Sequence, residues 1–438
     1  MTAVVHAFHR TFDSFRVRNF RIYLAGMAVS TTGIWIHTVA SAWLVLRLSD
    51  SGVALGMLLA LEFLPILLLG ALGGVVADRF DKRHILIVTQ IAFASLSLLL
   101  GVLAAFELEQ LWIVYVVALA TGLVTAVDHP TRQSFVPEIV GKRHLTNAVS
   151  LNSAVFTGTR IIGPAIGAAV IAAVGIAPAF LLDGVSYLAV VVSLLMMRRR
   201  DLRPAERAAE GERGVREGLR YVWHTRELRL PLLLMSVLFT FSFNWFVLMP
   251  LLAERTFSGG AGTYGSILSL MGVGSFIGAL VLAHRARSGH RLLAISGIAV
   301  GVMSLAAGFA PTLGWELAVV VPLGLATIAF MITGNTTLQL TADPKMRGRV
   351  MSLYSVVFLG STPIGAPILG WIGEHLGARA GLVFGGVIAL LASGIALWAL
   401  QRGRRMAAVP ASEQTRTAVL DVPAPDADDV AVERSLTA

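Results

Sequence analysis

Cysteine is absent from the 438 residues. That excludes disulfides, thiolate metal sites and cysteine nucleophiles. Charge is scarce: 14% of residues are Asp, Glu, Lys or Arg, against about 25% in soluble domains. No Gly-x-x-x-x-Gly-Lys-Ser/Thr run occurs, so ATP hydrolysis on a phosphate loop is not expected; His-Glu-x-x-His is missing too, and the ten His are scattered. Neither an intramembrane enzyme nor a cofactor or metal is therefore expected. Met1 to Arg21 hold no short apolar core followed by a small-residue cleavage site, so the first hydrophobic run reads as a retained span and not a signal peptide.

Apolar length is what the chain has in abundance. It is 56% hydrophobic, with a mean hydropathy of +0.76. A bilayer core of about 30 Å needs roughly 20 apolar residues per helix. Twelve segments qualify: 20–46, 54–77, 85–105, 111–130, 148–174, 178–197, 231–253, 264–283, 292–310, 315–340, 350–373 and 380–400. Of the 35 Lys and Arg, 31 fall in alternate gaps or in the termini, counting Arg21 at the edge of span 1. Only Arg47, Arg255 and Arg379 fall in the other gaps, and only Arg160 lies well inside a span. Loops that keep Lys and Arg on one side mark a polytopic helical protein with that side cytoplasmic. Both termini are then cytoplasmic. The net charge of +9 is spread over these short stretches, so it sets topology and does not form a nucleic-acid surface.

The predicted organisation is a cytoplasmic N-terminus (1–19), a six-helix bundle (20–197), a cytoplasmic linker (198–230) with ten Arg, a second six-helix bundle (231–400), and a disordered cytoplasmic tail (401–438). The bundles are copies. An offset of 202 residues pairs Ser150 with Ser352, Leu151 with Leu353, Ser153 with Ser355, Val155 with Val357 and Phe156 with Phe358. It also pairs Gly158 with Gly360, Gly163 with Gly365 and Ile166 with Ile368. Span 5 thus falls on span 11. The fold class is all-α membrane protein, two pseudo-symmetric six-helix bundles around a midplane site.

Between spans 2 and 3 stands Gly74-Val-Val-Ala-Asp78-Arg79-Phe-Asp81-Lys82-Arg83. Gly74 permits close approach of span 2 to a neighbour; Asp78 can accept bonds at a helix end, and the basic residues can pair with carboxylates. The stretch resembles the loop 2–3 signature of the major facilitator superfamily, Gly-x-x-x-Asp-Arg-x-Gly-Arg-Arg, departing at Asp81, which leaves its tight turn in question. The equivalent stretch in the second half, from Gly278 to Arg291, has lost the acid. The resemblance implies that Asp78, Arg79 and Arg83 latch the outward-facing state; setting topology alone is the other reading.

Span 5 carries Gly158-Thr-Arg160-Ile-Ile-Gly163-Pro164-Ala-Ile-Gly167. Small residues at this spacing let helices pack closely, and Pro164 removes a backbone donor. It looks like the superfamily's antiporter motif, which marks exporters, or it serves packing alone. Asp128-His-Pro130-Thr-Arg132-Gln133, Val136-Pro137-Glu138 and Asn147-Ala148-Val149-Ser150-Leu151-Asn152 narrow the resemblance. They are similar to the bacterial branch that contains the enterobactin exporter and macrolide efflux pumps. Asn19-Phe20-Arg21 and Ala42-Trp43-Leu44 fit that branch as well.

An ionisable residue near the bilayer centre costs about 3 kcal/mol or more on insertion scales, so each is a site candidate. Glu62 lies about 12 Å into span 2 at 1.5 Å per residue. It is either a proton carrier or the structural partner of Arg160. Arg160, near mid-depth, either binds an anionic substrate group or holds a carboxylate. Asp128 reads as latch support, within reach of Arg79, Lys82 or Arg83, more than as a transport residue. Asp183, five residues into span 6, is a further coupling candidate, with a place in the outer headgroups as the blander reading. His37 could shuttle protons or merely be hydrogen-bonded near Thr31 and Thr38. Thr31, Trp35, His37, Asn244, Trp245 and Asn335 are candidates to line a cavity, with ordinary helix packing as the alternative for Trp35 and Trp245.

Taken with the resemblance, these residues predict a monomeric exporter of small organic molecules in the bacterial cytoplasmic membrane, coupled to protons by alternating access. Antibiotic, siderophore and self-made metabolite all suit such a cavity. Uptake or lysophospholipid handling within the same superfamily is the alternative, and a transporter-like sensor would need an output domain larger than the linker.

Overall fold

Lipid offers no partner to a backbone N–H or C=O, so an apolar run of this length must bond internally, as a helix. The computed structural model describes residues 13–203, 215–285, 288–344 and 346–407, and among these there is no strand. Twelve helices are long and apolar enough to cross a membrane. They are α1 (Arg18–Ser49), α2 (Gly52–Arg79), α3 (Lys82–Ala105), α4 (Leu111–Gly141), α5 (Arg143–Val174), α6 (Ile176–Met196), α7 (Arg226–Thr256), α8 (Ala261–Arg285), α9 (His290–Gly308), α10 (Leu313–Thr341), α11 (Arg347–His375) and α12 (Ala378–Ala407). Residues 1–12, the linker centre at 204–214 and the tail from 408 lie outside the described residues, so those parts of the expected termini and linker are not addressed.

The helices outrun the apolar segments because capped polar flanks continue the backbone ladder past the hydrocarbon. Helix α4 gains most, running eleven residues beyond 130 to Gly141. Ser51 accepts a bond from the Ala54 N–H to cap α2, and Thr312 caps α10 through the Trp315 N–H. Asp81 caps α3, its Oδ1 accepting from the His84 N–H at 3.1 Å. That explains the departure from Gly in the loop signature: Asp81 sits at φ −61, where no glycine is needed, and it supplies the preferred N-cap carboxylate. The tight join between α5 and α6 does need one, because Gly175 stands at φ 91.

Helix α7 is not the continuous rod expected over 231–253. It runs Arg226–Phe241, opens through Ser242 to Asn244, resumes at Trp245–Leu251 and ends in a π-turn, Leu252–Thr256. The Asn244 amide donates to the Thr240 carbonyl (2.8 Å) and the Phe239 carbonyl (3.4 Å), both near the break.

The two halves repeat down to cap geometry. Phe106 ends α3 and Phe309 ends α9, each at φ −100 and ψ 7. Across the halves α2 packs on α11 and α5 packs on α8. These seams exchange when each helix number is shifted by six, as a pseudo-two-fold demands. Both are built on small residues. A Cβ on Gly52 would fall 2.5 Å from the Gly370 oxygen, and one on Gly56 would fall 2.7 Å from Pro367 Cα. On α8, a Cβ on Gly265 would fall 2.7 Å from the Pro164 oxygen and one on Gly272 3.0 Å from the Arg160 oxygen.

Polar bonds close the seam at the end away from the basic loops. The Glu374 carboxylate of α11 accepts from the Ser51 hydroxyl (2.5 Å) and the Val53 N–H (2.9 Å) at the start of α2. Arg255 on α7 donates to the Asp50 carboxylate (3.1 Å) and also meets the Asp50 carbonyl. This end is called the far end below, and the end carrying Asp78 to Arg83 the basic end.

Candidate functional site

Below the far-end closure a cavity lies between the halves, in two lobes that meet at Phe246. One lobe is walled by His37, Thr38 and Ser41 of α1, Leu55, Leu58, Leu59 and Glu62 of α2, and Tyr264 of α8. The other is walled by Trp35, Arg160, Pro164, Trp245, Leu268, Met271 and Gly272. The Trp35 and Phe246 rings, 6.2 Å apart, join the halves across it. Trp35, His37 and Trp245, expected to line a cavity, thus share it with the coupling candidates Glu62 and Arg160 and with Pro164 of the span 5 stretch, in two separate chemical settings.

Glu62 and Arg160 do not form the pair considered above. Glu62 shares its lobe with His37, and among the described residues no carboxylate lines the Arg160 lobe. Asp183 is enclosed by protein and reaches neither solvent nor lipid: its relative exposure is 0%. It accepts from the Ser97 hydroxyl at 2.7 Å, and His37 Nδ1 stands 3.0 Å from its Oδ2, at ion-pair distance. His37 therefore links a wholly buried acid, reached from α6 and α3, to the lobe that holds Glu62.

At the basic end the loop signature is arranged differently from expectation. Asp78 and Arg79 are exposed and make no side-chain bond among the described residues. Lys82 pairs with Glu138 at 2.6 Å, and Arg83 caps α6 by donating to the Leu194 (2.7 Å) and Leu195 (3.2 Å) carbonyls. Gly74 has open space around it; Gly73 is where α2 touches the backbone of α4 at Ala126 and Val127. Asp128 meets none of Arg79, Lys82 and Arg83. It accepts from Thr89 (2.6 Å) and Gln90 (3.0 Å) on α3 and pairs with Arg132 one turn along α4, which also reaches Met27 on α1.

Removing one partner of such a buried pair leaves the other uncompensated, which costs about 3–5 kcal/mol. Asp128→Ala is therefore expected to lower the melting temperature in detergent sharply, and Asp128→Ala with Arg132→Met to recover part of the loss. An unchanged melt in the single variant would refute the structural role.

Within the span 5 stretch, Gly163 lies against the Trp35 side chain and Gly167 against Ile36 on α1. Pro164 and Ala168 meet Gly265 of α8, and Gly158 has nothing close. Three lining candidates fall elsewhere. Thr31 is buried, its hydroxyl turned back to the Met27 carbonyl. Asn244 holds the α7 break, and Asn335 accepts from Gln339 at 2.6 Å outside both lobes.

Sequence reasoning missed Phe246 and Tyr264 in the cavity, Ser97 beside Asp183, and the far-end pair Glu374 and Arg255. It also missed Glu316, wholly buried near the start of α10, with neither carboxylate oxygen bonded among the described residues. A residue-by-residue search for acids in apolar runs would have found Glu316; the others carry no local signal.

The description of a transmembrane secretion effector matches residues 9–432. The Staphyloferrin A transporter of Staphylococcus aureus is 27% identical over 57% of this chain and 63% of that one. The multidrug efflux pump Tap of Mycolicibacterium fortuitum is 25% identical over 80% of this chain and 87% of that one. Among solved structures, a bacterial homologue of the human lysosomal transporter Spinster, inward-facing and unoccupied, superposes with a TM-score of 0.72. It is 14% identical over 88% of this chain and 97% of that one.

Proposed function

Because the chain belongs to the transmembrane secretion effector family of the major facilitator superfamily, we propose that it exports small organic molecules across the bacterial cytoplasmic membrane by proton antiport. It is a multi-pass transporter and not an enzyme. What supports the exporter reading is the match to a secretion effector; the cavity is closed at the far end by two glycine seams and five polar bonds, while Asp78 and Arg79 stand unengaged at the basic end. With the basic end cytoplasmic, this is an inward-open state ready to load cargo from the cytosol. Re-forming the Asp78 and Arg79 latch as the far-end bonds part then turns the cavity outward. Glu62 loads a proton from outside, and His37 and Asp183 share it with the protein interior. The relatives named above are a staphyloferrin A transporter and a multidrug efflux pump, which fits cargo of this size.

The test uses everted membrane vesicles, acidified inside and loaded with a pH-sensitive dye. Compounds are taken from a growth-inhibition panel run with and without expression of the chain. The expected result is protection from some of them, and proton release from the vesicles when those same compounds are added. Intracellular accumulation would instead make the chain an importer; protection without proton movement would remove the coupling.

A further inference from the structure

A guanidinium inside a membrane span needs a counter-charge, and half-buried Arg160 has none among the described residues. Its lobe is walled by Trp35, Pro164, Trp245, Phe246, Leu268, Met271 and Gly272, with no carboxylate among them. The acids closest in function, Glu62 and Asp183, stand with His37 instead. A second observation is independent of the charge. Trp35 and Trp245 are 9% and 4% exposed, and neither indole N–H has an acceptor among the described residues. A buried indole N–H ordinarily finds a partner, so two orphaned donors beside an orphaned cation mark a place where acceptors arrive from outside the chain.

From this convergence we propose that the Arg160 lobe is a subsite for organic anions. An amphipathic carboxylic acid binds with its carboxylate on Arg160; the lobe is narrow and the Trp35 and Trp245 indole N–H groups are closed off in this state, so the halves part around Phe246, Leu268 and Met271 to admit the apolar body and turn both donors to the carboxylate. The guanidinium fork matches a carboxylate in two parallel bonds, and the aromatic walls accept a flat body by stacking. The proposal rests on the transport reading and narrows its cargo from small organic molecules to anionic ones. It also divides the labour within the cavity: the His37 and Glu62 lobe handles protons, and the Arg160 lobe handles cargo charge. Cationic compounds gain nothing at the second lobe, since the guanidinium repels them.

The experiment measures binding, by calorimetry, of 2-naphthoate and its uncharged amide 2-naphthamide to the purified full-length protein in lipid nanodiscs. The acid is expected to bind about tenfold or more tighter than the amide. In Arg160→Gln the two bind alike, and Arg160→Lys, which keeps the charge and loses the fork, recovers part of the preference. Trp245→Phe keeps the ring and removes only the donor, so it weakens the acid by about two- to fivefold and leaves the amide unchanged. This variant keeps the test open should Arg160→Gln fail to fold, as its melt will show.

Equal binding of acid and amide by the unaltered protein, no binding of the acid, or an acid preference that survives Arg160→Gln would each overturn the subsite. Because the readout needs no flux, the two readings fail separately. Acid preference without proton release in vesicles defeats the antiporter and leaves the anion subsite standing. Proton release by cargo without acid preference does the reverse.

Discussion

Glu62→Gln is expected to bring cargo flux driven by a pH gradient down to the level of liposomes without protein, while leaving cargo exchange at equal pH intact. Glutamine matches glutamate in size and keeps the cavity wall formed with His37, Thr38, Ser41 and Tyr264. What it loses is the ability to take and give up a proton. Exchange of labelled for unlabelled cargo needs the cavity to turn over but moves no net proton, so it survives. Net uphill transport needs a carboxyl that can be neutral on one face and ionised on the other, so it stops. Asp183→Asn makes a useful contrast. That carboxylate is wholly buried and bound to Ser97 and His37, so its loss is expected to lower the melting temperature as well as the flux. Should Glu62→Gln still concentrate cargo against a gradient, the coupling belongs to another group, and the buried Glu316 on α10 is the next acid to test.

The twelve helices and their duplication were legible in the chain because one rule decides both: lipid leaves an apolar run no backbone partner but itself, and a copied half keeps its small residues in register. Gly158 to Gly163 against Gly360 to Gly365 is enough to align α5 with α11. What crosses between helices was not legible. Asp183, His37 and Ser97 come from α6, α1 and α3, and no spacing along the sequence brings them together. Lys82 finds Glu138 only because α4 runs on past its apolar stretch, which ends at 130. The end of that stretch also hides the pairing of Asp128 with Arg132, four residues apart on one helix face. The break in α7 contains neither Gly nor Pro; its one local sign is Asn244, a residue that readily bonds nearby backbone and was taken for a cavity wall. Arg160 shows the opposite case: depth and charge alone single it out, but only the packed structure shows that no acid among the described residues answers it.

Gly56→Leu is expected to abolish transport by a different route, by preventing the far end from closing. On α11 the atoms that face Gly56 are backbone, the Ala366 carbonyl and Pro367 Cα, and they cannot swing aside as a side chain tip would. Overpacking a close contact costs about 1–3 kcal/mol, which shifts a two-state balance about 5- to 150-fold. The cost falls on the closed seam alone, so the population moves toward the state in which α2 and α11 part at Gly52 and Gly370. The absence of Cys makes this directly visible. In a Thr38→Cys background, a membrane-impermeant maleimide should label the cavity only from the basic end, and in the double variant with Gly56→Leu mainly from the far end. Glu374→Gln, which weakens the bonds to Ser51 and Val53 without adding bulk, should move labelling the same way by less. A melting temperature near that of the unaltered protein separates a displaced balance from a damaged fold. Far-end labelling that stays absent in Gly56→Leu would mean that the seam is not a gate, and that the cavity opens by some movement other than the parting of α2 from α11.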